Sequence, residues 1–200
     1  MQKVYFYLMV SFIAVCTMAV SQTVSAQGFK ATGVFGGNIS QIDGDTLYGF
    51  HKAGLTGGVR LSYNNDQPYD IVLEMLYSER GAATNILSPD KTRGITLSYL
   101  EFPVLVSLRD WYIEGDDYYK VRAEAGLAYS VLFRTNAPNY DEAAFKSYDV
   151  NWIIGAGLNL TPRVGVSLRY TSSFLKIYDK LNPNLPFKSY FLTLRGEFTF

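Results

Sequence analysis

The sequence predicts an all-β protein: a closed up-and-down antiparallel transmembrane barrel of about eight strands. Three observations carry this. Apolar residues recur at every second position through segment after segment, the period of a strand with one face in an apolar medium. The connections between those segments alternate between long and short, the rhythm of hairpins entered from one side. Aromatics make up 16% of the 200 residues, nearly all of them Tyr and Phe, and they gather near segment ends, where a membrane interface favours them. The length suits one domain. A hydrophobic content of 48% and a net charge of +0 exclude a nucleic-acid binder and a disordered acidic chain.

The first residues read as a targeting segment. Lys3, the uncharged apolar run from Val4 to Val20, and the small residues Val24-Ser25-Ala26 predict a signal peptide over residues 1–26, cleaved before Gln27. Residues 27–200 are then the barrel domain. Cys16 is the only cysteine and lies in the apolar run. Val15 stands where a lipoprotein would need a small residue, so the mature chain is expected to have neither disulfide nor thiol chemistry. No other segment is long and apolar enough for a spanning helix.

Taken in order, Phe29 to Asn38 is the first strand, with Phe29, Ala31, Gly33, Phe35 and Gly37 on one face. Ile39 to Lys52 is a polar loop. Ala53 to Tyr63 alternates Leu55, Val59, Leu61 and Tyr63 with Gly58, Arg60 and Ser62, and Asn64 to Pro68 is a turn. Asp70 to Arg80 sets Ile71, Leu73, Met75 and Tyr77 against Val72, Glu74, Leu76 and Ser78; a longer loop runs from Gly81 to Arg93. In Gly94 to Leu108 the phase is divided between Ile95, Leu97, Tyr99 and Phe102, Val104, Val106, which predicts a bulge near Glu101-Phe102-Pro103.

Asp110 to Asp117 reads as a turn. Tyr118 to Arg134 is a long fifth strand, with alternate residues from Tyr119 to Phe133 on one face and Lys120, Arg122, Glu124, Gly126, Ala128 and Ser130 on the other. Thr135 to Ser147 is a loop. Tyr148 to Leu160 and Val164 to Phe174 are joined by the tight turn Thr161-Pro162-Arg163, and a Pro/Asn-rich loop runs from Leu175 to Phe187. The last strand, Lys188 to Phe200, sets Tyr190, Leu192, Leu194, Gly196, Phe198 and Phe200 against Phe191, Thr193, Arg195, Glu197 and Thr199. It is expected to close antiparallel on the first. Each strand nears the ten or so residues a tilted strand needs to cross a bilayer.

Three features decide that the apolar face points to lipid rather than to the interior of a secreted lipocalin-like carrier. Two aromatic girdles are expected: Tyr63, Trp111, Tyr118, Tyr119, Phe198 and Phe200 at the periplasmic level, and Tyr77, Tyr99, Tyr129, Phe133, Trp152, Tyr170 and Tyr190 at the outer level. The polar face carries Arg60, Glu74, Glu101, Arg122, Glu124, Arg169, Arg195 and Glu197 near mid-strand. Both signs balance, as a luminal charge network requires, because isolated charges there would carry a large desolvation cost. The closing aromatics Phe198 and Phe200 match the signal read by barrel-insertion machinery.

Several stretches resemble one known family. Gly37-Asn38-Ile39-Ser40-Gln41-Ile42-Asp43-Gly44-Asp45 and Lys52-Ala53-Gly54-Leu55 resemble the first-loop signature of PorT-like outer-membrane β-barrel proteins of the Bacteroidetes and its continuation. Leu73-Glu74-Met75-Leu76-Tyr77-Ser78-Glu79-Arg80-Gly81 is similar to the family's third strand, and Tyr99-Leu100-Glu101-Phe102-Pro103-Val104-Leu105 to its fourth. Ala125-Gly126-Leu127-Ala128-Tyr129 takes the place of its fifth, with Leu127 where Pro is often found. The resemblance implies a barrel in the Gram-negative outer membrane and no shared catalytic site. It also implies that some members serve a secretion and gliding apparatus.

Chemistry-bearing motifs are sparse. His51, the only histidine, has Ser40, Asp43 and Asp45 near it in sequence, but no nucleophile motif accompanies it. Asp43-Gly44-Asp45 lacks the later ligands of a calcium loop. Gly155-Ala156-Gly157 has no following helix and is no dinucleotide fingerprint. Glu74 and Glu101 suit ion pairs better than an acid pair.

The sequence thus predicts a non-enzymatic envelope barrel with a salt-bridged, side-chain-filled lumen and no catalytic residue, cofactor or metal. Its partners would be outer-membrane lipid, the insertion machinery and envelope proteins met through the outer loops. A monomer is expected, since a closed barrel has no sheet edge. A narrow pore or small-ligand passage is the alternative, and a lipid-modifying barrel enzyme a third reading.

Overall fold

The computed structural model describes residues 28–43, 52–64, 67–83, 94–138, 141–178 and 188–200. The leader expected at 1–26, Cys16, Asp45 and His51 lie outside them. Eight strands form the barrel: β1 (Phe29–Asp43), β2 (Lys52–Asn64), β3 (Tyr69–Ala82), β4 (Ile95–Ile113), β5 (Tyr118–Asn136), β6 (Tyr148–Asn159), β7 (Val164–Ser173) and β8 (Lys188–Thr199). Each pairs antiparallel with the next. β8 returns to β1 in a register running from Thr32 opposite Thr199 to Asp43 opposite Lys188, which closes the sheet. Every strand therefore has two neighbours, and no backbone edge meets lipid.

The period of two gives each strand one inward and one outward face. Outside stand large apolar side chains, such as Phe35 at 69% exposure and Leu194 at 64%; inside, Arg80, Asp149 and Asn151 are at 0%. A water-soluble domain would hide the first set and display the second. The reversal, all around the circumference, is that of a barrel whose solvent is hydrocarbon. Outer-end rings stand in neighbouring pairs, Tyr77–Phe133, Tyr129–Tyr148, Trp152–Tyr170 and Tyr170–Tyr190, with centroids 5.3 to 6.5 Å apart. At the other end Phe29–Tyr63, Tyr112–Tyr119 and Phe198–Phe200 lie 4.8 to 5.7 Å apart.

The structure corrects the expected strand ends and one girdle residue. β1 runs on to Asp43, and β4 to Ile113, where a turn from Asp110 was expected. Pairing explains both: Asp43 still faces Lys188, and Asp110, Tyr112 and Ile113 still face Val121, Tyr119 and Tyr118. Asp43 and Asp110 thus continue the ladder past the ends the sequence predicts. Tyr99, expected in the outer girdle, is 1% exposed and points inward with Ile95 and Leu97. Those three share the phase of Glu101, Leu105 and Ser107, while Leu100, Phe102, Val104 and Val106 face out. The phase of β4 is thus continuous.

No bulge is needed at Glu101-Phe102-Pro103. The register shift lies instead between Ser98 and Tyr99, opposite Arg134 and Leu132, so that Phe133 of β5 is the extra residue. Pro103 sits where the β3–β4 ladder lapses, between the pairs Leu76–Glu101 and Leu73–Val104. A residue without an N–H is tolerated at such a gap.

One glycine is fixed by close packing. A Cβ on Gly126, which faces in from β5, would collide with the Val104 carbonyl and lie 2.8 Å from the Leu105 Cα, both backbone atoms of β4. Gly126→Ala is therefore expected to cost about 1–3 kcal/mol by overpacking. Urea unfolding of the folded barrel reads this directly. A loss below a few tenths of a kcal/mol would show that the two strands can separate at no cost.

Candidate functional site: an ion-paired lumen

The lumen is filled in layers. The lowest charged layer joins five strands. Arg60 of β2 and Glu74 of β3 are cross-strand partners, and Arg60 Nη1 reaches both Glu74 Oε1 at 3.2 Å and Glu124 Oε1 at 2.6 Å. Arg169 donates two bonds to Glu74, at 2.6 and 2.8 Å, and Arg195 two more, at 3.1 and 2.9 Å. Glu74 is thus a hub for three guanidiniums. Paired N–H donors from Arg fit the geometry of a carboxylate better than the point charge of a Lys would.

Two glycines on β6 make the longer reaches possible. Gly155 lies between Glu124 and Arg169 in the sheet, and Gly157 between Arg122 and Ser167. With no side chain at 155, Arg169 crosses to Glu124 at 2.6 Å. With none at 157, Arg122 passes over to Glu197 at 2.6 Å. A Cβ at Gly157 would sit 2.6 Å from the Arg122 Nε, and one at Gly155 2.7 Å from the Arg169 Cγ. The Gly155-Ala156-Gly157 stretch therefore serves the network. Arg122 also bonds Glu124 at 2.8 Å, and Arg195 bonds Glu197 at 3.1 Å. Ser167 donates to Glu197 at 2.6 Å.

Seven of the eight charged residues expected in the lumen are joined here: Arg60, Glu74, Arg122, Glu124, Arg169, Arg195 and Glu197. The eighth, Glu101, belongs to a second layer built on Arg80. Arg80 Nη2 bonds Glu101 at 2.6 Å and Ser130 at 2.8 Å, while its Nη1 bonds Asp149 at 3.1 Å and Asn151 at 3.2 Å. Its guanidinium lies 4.3 Å from the Tyr99 ring centre and 4.7 Å from that of Phe191. Ser173 donates to Asp149 at 2.6 Å.

Sequence reasoning missed Arg80 and Asp149 as site residues. The signal was present: Arg80 continues the phase of Glu74 and Ser78, and Asp149 that of Asn151. The first layer holds four arginines to three carboxylates, and the second one arginine to two, so the two layers together are neutral. Between them remains a void of about 10 Å³, at the limit for one water.

Towards the long connections the lumen turns apolar. Ile42, Ala82, Ile95, Leu97, Tyr99, Ala137, Phe145, Ile177 and Tyr178 form a buried cluster. Two inter-strand connections supply its lid. The 3-10 turn Glu142–Ala144 follows β5, Phe145 bridges to Tyr178 with rings 4.9 Å apart, and Lys146 N–H bonds the Ile177 carbonyl at 3.0 Å. At the opposite end, that of the short connections, the lumen opens as a cavity of about 220 Å³. Among the described residues no cluster of His, Cys, Asp and Glu could hold a metal ion. Asp43 ends β1, paired in register with Lys188.

An inverted, closed eight-stranded antiparallel barrel with an ion-paired interior defines a small outer-membrane β-barrel. The chain belongs to the family described as outer membrane protein beta-barrel domain, whose model matches residues 20–179. Among solved structures it is similar to Neisserial surface protein A, at 13% identity and a TM-score of 0.51, covering 87% of this chain and 98% of that one. It is also similar to Ail, the attachment invasion locus protein of Yersinia pestis, at 14% identity and a TM-score of 0.50, covering 86% of this chain and 99% of that one. At such identities the likeness is one of fold. No curated protein matches the sequence.

Proposed function

We propose that this protein is a non-enzymatic, closed barrel of the Gram-negative outer membrane, a structural and interaction protein of the envelope rather than a conduit. One observation carries the reading: two charged layers and an apolar lid fill the lumen in series, with a void of only about 10 Å³ between the charged layers. Every carboxylate of those layers is engaged by arginine, so none is left to act as a general base.

Purified protein in planar bilayers is expected to show no discrete open-channel currents. Steady unitary steps in the unmodified protein would establish the narrow pore instead. The resemblance of residues 37–45, 73–81 and 99–105 to PorT-like barrels extends the proposal to envelope partners of a secretion apparatus, met through the outer loops. Cross-linking in outer membranes followed by pull-down tests that part; recovery of the barrel alone would remove the interaction role and leave the structural one.

A further inference from the structure

We propose that the short-turn mouth of the barrel binds a small anionic group, a phosphate or a carboxylate, presented from the periplasm. The mouth is the cavity of about 220 Å³ described above, and five cationic side chains line it: Lys30, Arg60, Arg109, Arg122 and Arg163. Three carboxylates share the lining, Asp70, Asp117 and Glu197, and each is already engaged. Asp70 lies 3.4 Å from Arg109 Nε, Glu197 holds Arg122 and Arg195, and Asp117 accepts the Tyr112 hydroxyl. Arg60 is taken up by Glu74 and Glu124 at the floor. Lys30 and Arg163 have no ion-pair partner among the described residues, and they stand exposed at the rim.

The excess therefore rests on Lys30 and Arg163. Arg109 and Arg122 are direct cross-strand partners on the inward face. Asp70 and Glu197 already offset that like-charge pair, so an incoming anion is left to meet Lys30 and Arg163 at the rim. A cleft with charge of one sign in excess and low-dielectric walls also concentrates the field at its mouth. The site is blind, because the Arg60–Glu74–Glu124 layer forms its floor. Its volume falls below the 300 Å³ or so at which pockets for whole small molecules begin. It therefore fits one oxyanion with a few waters, or the charged end of a longer ligand, and not a nucleotide.

The test uses the full chain folded in detergent, so it is independent of membrane orientation and of whether the lumen conducts. Inorganic phosphate and acetate are titrated separately at constant ionic strength by calorimetry. Saturable binding of phosphate is expected, and saturable acetate binding would show that carboxylates share the site. Binding should weaken about tenfold or more in the double variant K30Q/R163Q, as befits two charge-assisted hydrogen bonds. Both residues lie at the exposed rim, so the urea midpoint of that variant should match the parent. Failure of both anions to saturate, or equal affinity in the double variant, would overturn the proposal.

Discussion

Replacing Glu74 by Gln is expected to destabilise the barrel by about 3–5 kcal/mol, the range for removing one partner of a buried ion pair. Glu74 accepts from Arg60, Arg169 and Arg195 and is 5% exposed. Its amide replacement keeps the shape but not the charge. Glu124 and Glu197 would then face four arginines alone, and Arg195 would keep Glu197 as its one ion-pair partner beside its bond to Ser167. The amide NH2 would also point a donor at guanidinium donors, where nothing can accept it.

Urea unfolding in lipid vesicles measures the loss. Glu79→Gln is the control, since Glu79 accepts the Tyr77 hydroxyl at an exposed position, where such changes cost about 1 kcal/mol or less. Equal losses for the two variants would show that the lumen is wet enough to screen its charges. The same variant bears on the closed-barrel reading. Three cations left under-compensated in that layer would draw in anions and water, so anion-selective currents absent from the parent are expected.

The fold was legible because alternation is a local property. Leu55, Val59, Leu61 and Tyr63 announce their common face without reference to any other strand, and so do Val164, Val166 and Leu168. The strand ends were less legible. Asp110 to Tyr112 are polar and aromatic and break the alternation, and their partners Tyr119 and Val121 keep the strand in the sheet. Ile95, Leu97 and Tyr99 posed a different difficulty. An apolar residue in a membrane barrel is read as facing lipid, yet these three pack beneath Phe145, Ile177 and Tyr178. Nothing local says that connections fold over the lumen.

The charged residues show the same division. That Arg60, Glu74, Glu124, Arg169 and Arg195 face inward follows from phase alone. Which of them touch depends on stagger between strands distant in sequence. Arg195 and Glu74 meet across the barrel at 2.9 Å although 121 residues separate them. Glu101, expected with the others, falls to the Arg80 layer for that reason. The glycines at 155 and 157 gain their meaning only once β5 and β7 are seen on either side.

Arg80→Met is expected to cost a similar 3–5 kcal/mol, and the comparison that interprets it is the triple variant R80M/E101Q/D149N. Arg80 is 0% exposed and is the only cation bonded to Glu101 and Asp149 among the described residues. Met keeps much of the volume and the contact with Tyr99 and Phe191, losing there only the cation–ring attraction of about 0.5–2 kcal/mol. The larger loss comes from two carboxylates left buried without a cation. Neutralising both in the triple variant removes that penalty while Ser130, Asn151 and Ser173 remain to bond the new amides. The triple variant is therefore expected to be more stable than Arg80→Met alone, by about 1–3 kcal/mol of coupling. Urea midpoints of the two variants decide it. If the triple variant is the less stable one, the layer's value lies in its hydrogen bonds and packing rather than in charge compensation. Recovery would mean instead that the ion pairs specify which groups meet in the lumen, and that a neutral interior of the same shape could fill the barrel as well.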